Sequence, residues 1–265
     1  MFDLPSLRSA LAGTIFAEKV HYVASTGSTN DDAKVGAQNS APHGSVFFAE
    51  EQIAGRGRGD HLWHSTVGEG LYVSVLLRPE IPLKRLTLLP LVAGLAAAQA
   101  IREAAALGVD LRWPNDLLLG PKKSGGILVE SHTEAGAVAW VVVGIGINVH
   151  QRSFAPGLAT PATSLDLEAG RAVARQPLLI ALLHSLERES AALTDAASAL
   201  AIPHRAEQAS TWMRGRRVEV HGPQACVGVT NGLDEHGFLR VSTASGVVTV
   251  QTGGLRDDPA VSYQP

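Results

Sequence analysis

From Arg216 onward the chain changes rhythm, and this change limits its architecture more than any other feature. Short β-prone runs at residues 218–220, 226–230, 238–241 and 247–251 are separated by Gly222-Pro223, by residues 234–237 and by Ser245-Gly246. Turn signals at that spacing predict a small antiparallel barrel, because strands this short gain stability mainly by closing on one another. The boundary is placed at Met213, which divides the chain into residues 1–213 and 214–265.

Upstream the pattern is different. Leu4, Leu7 and Leu11 have helical spacing, residues 20–23 read as a strand, and a helix follows from Thr29 with Ser28 or Thr26 as its cap. Strands are predicted at residues 46–49, 71–77, 109–113, 126–130 and 138–145, and helices at 86–107, 178–192 and 201–213, with residues 151–177 as a Pro-, Ala- and Thr-rich loop. Strands and helices mix without regular alternation, so the predicted class is α+β, a mixed sheet flanked by helices. The most apolar stretch, residues 86–100, contains Pro90 and Gln99 between Arg85 and Arg102, which favours a core helix over a membrane span. With 45% hydrophobic and 18% charged residues and a net charge of −3, neither disorder nor a general affinity for DNA, RNA or anionic membrane is indicated. The start, Met1-Phe2-Asp3-Leu4-Pro5, lacks the basic and apolar regions of a signal peptide. The lone Cys226 excludes an internal disulfide, fits a reducing compartment and reads as a small apolar residue. A cytoplasmic protein is therefore expected.

Four small clusters carry the chemistry. Residues 50–59 run from a strand end into a loop in which Gly55, Gly57 and Gly59 alternate with Arg56 and Arg58; glycines allow close backbone approach and arginines offer forked donors, a design for anionic oxygen. A solvated turn or an RGG-like nucleic-acid contact fits that segment about as well. Arg112-Trp113-Pro114-Asn115-Asp116 followed by residues 122–127 sets a carboxylate and a lysine at adjacent strand ends, or else a plain hairpin with solvated lysines. Residues 144–148, Gly-Ile-Gly-Ile-Asn, would suit close packing at a buried strand end, and residues 25–30 hold hydroxyls beyond what helix capping uses. No P-loop and no dinucleotide fingerprint is present.

In this order, Ser28-Thr29-Asn30, Gln52-x-x-Gly55-Arg56-Gly57-Arg58, Trp113-Pro114-Asn115-Asp116 with Lys123-x-x-Gly126-Ile127-Leu128-Val129-Glu130, and Gly144-x-Gly146-Ile147-Asn148 resemble the biotin protein ligases. The resemblance implies the class II synthetase-like biotin-lipoate ligase fold with a C-terminal SH3-like barrel. It also implies ATP and Mg²⁺ as cofactors, biotin as substrate, formation of biotinyl-5′-AMP, and transfer of biotin to a lysine of a carrier such as the biotin carboxyl carrier subunit of acetyl-CoA carboxylase. By this similarity Ser28, Thr29, Asn30, Gln52, Gly55, Arg56, Gly57, Arg58, Lys123 and Gly126 are expected around biotin. Arg56, Arg58, Trp63, Asn115, Asp116, Lys123 and Asn148 are expected around ATP and its phosphates. Arg58 and Lys123 are the expected catalytic cations, and Asp116 the expected Mg²⁺ ligand.

Residues 55–63 are expected to form a lid. The chain departs from many relatives at Gly59-Asp60-His61, where a further basic residue is common, and His61 with His64 lacks the third ligand a metal would need. One short helix before the first motif leaves no room for a winged helix, so a monofunctional enzyme without DNA binding is expected. A homodimer through an exposed sheet edge is compatible with the pattern. The R-R-x-G-G-G segment typical of lipoate and octanoate transferases is absent, and mild acidity with 5% aromatics argues against an RNA-binding module.

Overall fold

The computed structural model describes residues 2–59 and 61–258 of the 265. In chain order the elements are α1 (Leu4–Ala10), β1 (Val20–Thr26), α2 (Thr29–Gln38), β2 (Ser45–Gln52), β3 (Gly70–Leu77), a 3-10 turn (Leu83–Leu88), α3 (Leu89–Ala105), β4 (Asp110–Arg112), β5 (Asp116–Leu119), β6 (Lys122–Glu134) and β7 (Ala137–Asn148). They continue with α4 (Leu165–Ala169), α5 (Arg175–Ala191), α6 (Ala196–Gln208), β8 (Arg214–His221), β9 (Cys226–Leu233), β10 (Leu239–Thr243), β11 (Gly246–Val250) and β12 (Gly254–Asp257).

The first seven strands form one sheet in the order β1-β2-β3-β7-β6-β5-β4, with β1 and β2 parallel and the other neighbours antiparallel. All eight residues of β3 are buried, as they must be in a central strand covered on both faces. One face carries α3, backed by α5, and the main core lies there around Leu89, Val92, Ala96 and Ile101. Full burial of each large aliphatic side chain contributes about 1.5–3 kcal/mol. On the other face α2 packs Ala33 and Ala37 onto Leu76 and Val142, and covers only part of the sheet. The uncovered remainder is where a ligand can lie.

The helix that includes the 3-10 turn, Leu83–Ala105, is long and apolar enough to cross a membrane, but 67% of its most apolar window is buried inside the protein, which supports the core reading. The remaining strands form a second, antiparallel sheet in the order β11-β10-β9-β8-β12, beginning at Arg214. It is fastened to the first unit by Trp113 Nε1 donating to the Gly237 carbonyl at 3.0 Å and by Glu207 Oε1 accepting from the Leu233 N–H at 2.6 Å.

Several predicted bounds move. Residues 116–119 form a strand, not a polar loop; three consecutive buried leucines pair on both sides with β4 and β6, a pattern without alternation. The expected loop of 151–177 contains α4, capped by Ser164, and α5 starts at Arg175 because Pro177 sits in the first helical turn, where no N–H is required. The last helix runs over Ala196–Gln208, capped by Asp195 and not reaching Met213. The strand β12, Gly-Leu-Arg-Asp, has no apolar run to announce it.

Candidate active site

On β3 the side chains of Tyr72 and Ser74 point to the face that bears α2. Their register partners continue that face across the sheet: Tyr72 is opposite Gly146, Gly146 opposite Gly126, and Gly126 opposite Asp116, while Ser74 is opposite Gly144 and Gly144 opposite Leu128. Three glycines therefore leave the middle of this face bare. A cavity of about 820 Å³ stands on it, walled by residues of α2, of the 56–64 loop, of the 153–160 segment and of the second sheet.

At the α2 end the polar groups hold one another. Gln52 Oε1 accepts from the Thr29 N–H at 2.9 Å and lies 3.1 Å from Thr29 Oγ1, while Gln52 Nε2 donates to Ser65 Oγ at 2.8 Å. The Ser74 hydroxyl is 2.8 Å from Thr29 Oγ1 and 2.6 Å from Asn30 Oδ1, and Asn30 Nδ2 donates to Glu130 Oε2 at 2.8 Å. Ser28 occupies the N-cap position of α2, yet its side chain makes no capping bond; the cap comes from Gln52, and Thr26 donates instead to Asp32. Among these hydroxyls that of Ser28, 3% exposed and lining the cavity, is the one without a hydrogen bond among the described residues. Gln52→Met is expected to remove the Thr29 cap and the tie to Ser65 together, costing about 1–2 kcal/mol of stability. A thermal melt would check this, and an unchanged midpoint would contradict the capping role.

The other end is cationic. Asp116 is clasped by Lys123 Nζ at 2.6 Å from Oδ1 and by Arg112, whose Nε and Nη2 lie 3.1 and 2.6 Å from Oδ2. Burial pushes the Asp116 carboxyl up, but Lys123 and Arg112 beside it outweigh burial and hold it below the usual carboxylate range. Arg112 also donates to Thr160 Oγ1 at 2.8 Å, Asn115 Nδ2 to the Ile127 carbonyl, and Asn148 Nδ2 to the Thr163 carbonyl. Both oxygens of Asp116, the expected Mg²⁺ ligand, are engaged by cations in this arrangement. No cluster of three or more His, Cys, Asp or Glu suited to a metal occurs among the described residues.

Between the two ends lies the glycine loop. Gly55 accepts from the Trp63 N–H at 2.9 Å and Gly57 donates to the His61 carbonyl at 2.7 Å, so the loop folds back as a narrow hairpin. A Cβ on Gly55 would collide with the Trp63 carbonyl, which is why this position is glycine. The Trp63 ring rests over Gly146 and Gly126, its Nε1 buried without a partner among the described residues, and Lys123 Nζ lies 5.7 Å from the ring centroid. The two loop arginines diverge. Arg56 pairs with Asp31 at 2.6 Å and reaches Glu130 at 3.5 Å, whereas Arg58 donates to the Gly253 carbonyl at 2.7 Å and to Thr252 Oγ1 at 2.5 Å on the second sheet. Burial lowers the Arg58 pKa and Asp116 works the other way. His61 and His64 are exposed at the cavity rim, and Asp60 lies outside the described residues.

A cavity that joins a capped polar pocket to a Lys-Arg cluster across bare glycine can be compared with known proteins. Residues 22–148 match the Biotin/lipoate A/B protein ligase family. A biotin–[acetyl-CoA-carboxylase] ligase of Mycobacterium tuberculosis is 36% identical over 260 residues, covering 96% of this chain and 94% of that one. The chain belongs to the biotin protein ligase family. The bifunctional ligase/repressor BirA of Bacillus subtilis is 39% identical over 184 residues, a match that spans 69% of this chain and 57% of that relative. The fold of this family member superposes on a biotin protein ligase from Aquifex aeolicus in complex with biotin and ATP with a TM-score of 0.77 and 28% identity, over 91% of this chain and 100% of that one.

All the expected site residues of this family member except Gly55 are cavity-lining; Gly55 lies buried in the loop that covers it. Sequence reasoning gave no site role to Arg112, Tyr72 or residues 252–256, which lead into and form β12. Arg112 stood within a motif that drew attention to its neighbours, and Tyr72 shares the alternation of Ser74. The second-sheet contribution had no local signal.

Proposed function

We propose that the chain is an ATP-dependent biotin protein ligase that makes biotinyl-5′-AMP and passes biotin to a lysine of a biotin carrier protein. The observation that carries this reading is the Lys123-Asp116-Arg112 cluster at the end of the same glycine-floored cavity whose other end is built by Ser28, Thr29 and Gln52. Biotin has an apolar bicycle with one ureido group and a valerate tail, so few polar partners suffice. The ureido end is assigned to Ser28, whose hydroxyl makes no hydrogen bond among the described residues, with Thr29 and Gln52 alongside, and the bicycle to the floor at Gly126 and Gly146.

In the first step a biotin carboxylate oxygen attacks the α-phosphorus of ATP and pyrophosphate leaves. Two anions approach, so the main demand is positive charge where oxyanion charge builds. Lys123 and Arg58 are assigned to it, with Arg112 holding Asp116 and so fixing the Lys123 ammonium. Magnesium is proposed as a companion of the ATP phosphates and not as a resident ion of Asp116. In the second step a neutral carrier lysine attacks the acyl carbon, AMP leaves, and the amine proton passes to solvent; no side chain is assigned as base. A cytoplasmic location and the carrier subunit of acetyl-CoA carboxylase as acceptor complete the proposal, and a homodimer is compatible with it.

Purified protein given Mg·ATP and biotin should release pyrophosphate and then biotinylate an added carrier domain. Release with lipoate alone would move the chain to the neighbouring lipoate enzymes, and silence with both would remove the ligase reading. The loop is exposed at Arg56 and contains two trypsin sites, Arg56 and Arg58. Biotin with ATP should slow cleavage there, because the lid must exclude water from a mixed anhydride. Equal cleavage rates would count against lid closure.

A further inference from the structure

The lid has two stems, the end of β2 at Glu50–Gln52 and the entry into β3 at residues 68–70, and one buried ion pair reaches both. Arg175, the first residue of α5, places Nη1 2.8 Å from Glu50 Oε2 and 3.1 Å from the Gly70 carbonyl. Glu50 Oε1 accepts from Tyr22 Oη at 3.0 Å, and the Glu50 carbonyl accepts from the Gly68 N–H at 3.2 Å. The guanidinium lies 5.0 Å from the Phe2 ring centroid, and Phe2 itself packs on Tyr22 and Phe48. Only 9% of the Arg175 side chain and 12% of the Glu50 side chain are exposed, so water cannot replace either partner. Neither residue lines the cavity.

We propose that Glu50 and Arg175 are positioning residues that clamp the two lid stems together and so keep the adenylate from leaking before transfer. This rests on the ligase reading for its chemistry, though not for its mechanics. The ordinary role of a buried pair is to hold the scaffold, and that role alone would lower the amount of folded enzyme without altering what each folded molecule does. A clamp makes a different statement. With the stems free to part, the lid opens more often, water reaches the mixed anhydride, and biotin and AMP are lost although pyrophosphate has already been released. The ratio of pyrophosphate released to biotin transferred then rises, and this ratio is independent of the folded fraction.

The experiment uses the full chain and Glu50→Gln, Arg175→Met and their double variant. Trypsin cleavage after Arg56 and Arg58 is followed without ligand, and pyrophosphate per biotinylated carrier is followed with Mg·ATP, biotin and a carrier domain. Both readings should rise about fivefold in each single variant, as expected for a local opening made easier without global unfolding. The double variant should add little, since the two residues act through one contact. If Arg175→Met does not fold, Glu50→Gln, which keeps size and shape, decides. Folded variants with either reading unchanged would overturn the clamp. Silence of the unaltered chain toward biotin would remove the ligase reading instead, and the trypsin rates would still decide the clamp.

Discussion

Lys123→Ala is expected to slow biotin-dependent pyrophosphate release by about 10²–10³-fold while leaving most biotin binding intact. The ammonium sits against Asp116, at the end assigned to the phosphates and away from the Gln52 and Thr29 pocket that is assigned to the ureido group. Its removal also leaves Asp116 with Arg112 as its remaining cation, and a charged hydrogen bond of this kind contributes about 1.5–3 kcal/mol. A pH signature accompanies the loss. Because the Asp116 carboxyl is held below its unfolded value, its stabilisation is present above the unfolded pKa and disappears as pH falls through the folded one. Without Lys123 the folded value rises toward the unfolded one, so the variant should lose less stability on acidification than the parent. Calorimetric titration with biotin, set beside the rate of pyrophosphate release, separates the two roles. Equal losses in both would move Lys123 into the biotin pocket or the scaffold.

Gly144→Ala should be nearly as damaging, through a different cause. The added Cβ would overlap Asn30 Oδ1, and Asn30 cannot step aside because Ser74 and Glu130 hold its head group. Overpacking plus broken buried hydrogen bonds should cost about 2–4 kcal/mol of stability. Displacing Asn30 disturbs the first turn of α2, so biotin affinity should fall by about tenfold or more, equivalent to about 1.4 kcal/mol. Gly108→Ala is the control, since a Cβ there meets nothing within 4 Å. Denaturation midpoints and biotin titration of both variants would check this, and parity between them would remove the glycine floor from the explanation.

Both variants act on residues that the sequence made conspicuous, and there is a physical reason for that visibility. Gly55, Gly144 and Gly146 are legible because close approach leaves no room for any other residue, and Lys123 and Asp116 because charge is rare near a buried strand end. At the cap of α2 the position was legible and the capping group was not. Ser28 is the residue that local rules select, but Gln52, brought alongside by the parallel pairing of β1 and β2, takes the Thr29 N–H. Long-range partners of this kind leave no trace in spacing. The same holds for Arg112, which must be seen with Thr160 and Asp116 to be placed, and for Thr252 and Gly253, whose part in the site depends on the way the second sheet packs. Element class followed from periodicity, while β5 and β12 escaped it, one too uniformly apolar and the other too polar to alternate.

The central seam of the large sheet has a kinetic meaning. Strand β3 carries the side chains that support the α2 end and β7 carries the glycines, and Gly70 pairs with Asn148 and Leu77 with Val141, with α3 and three strands intervening in the chain. Neither half of the nascent chain can therefore hold half of the ligand. Closure over so long an interval costs chain entropy before its contacts repay it, so binding competence is expected only once this pairing has formed. A newly made molecule passes from inert to competent at the moment this seam zips.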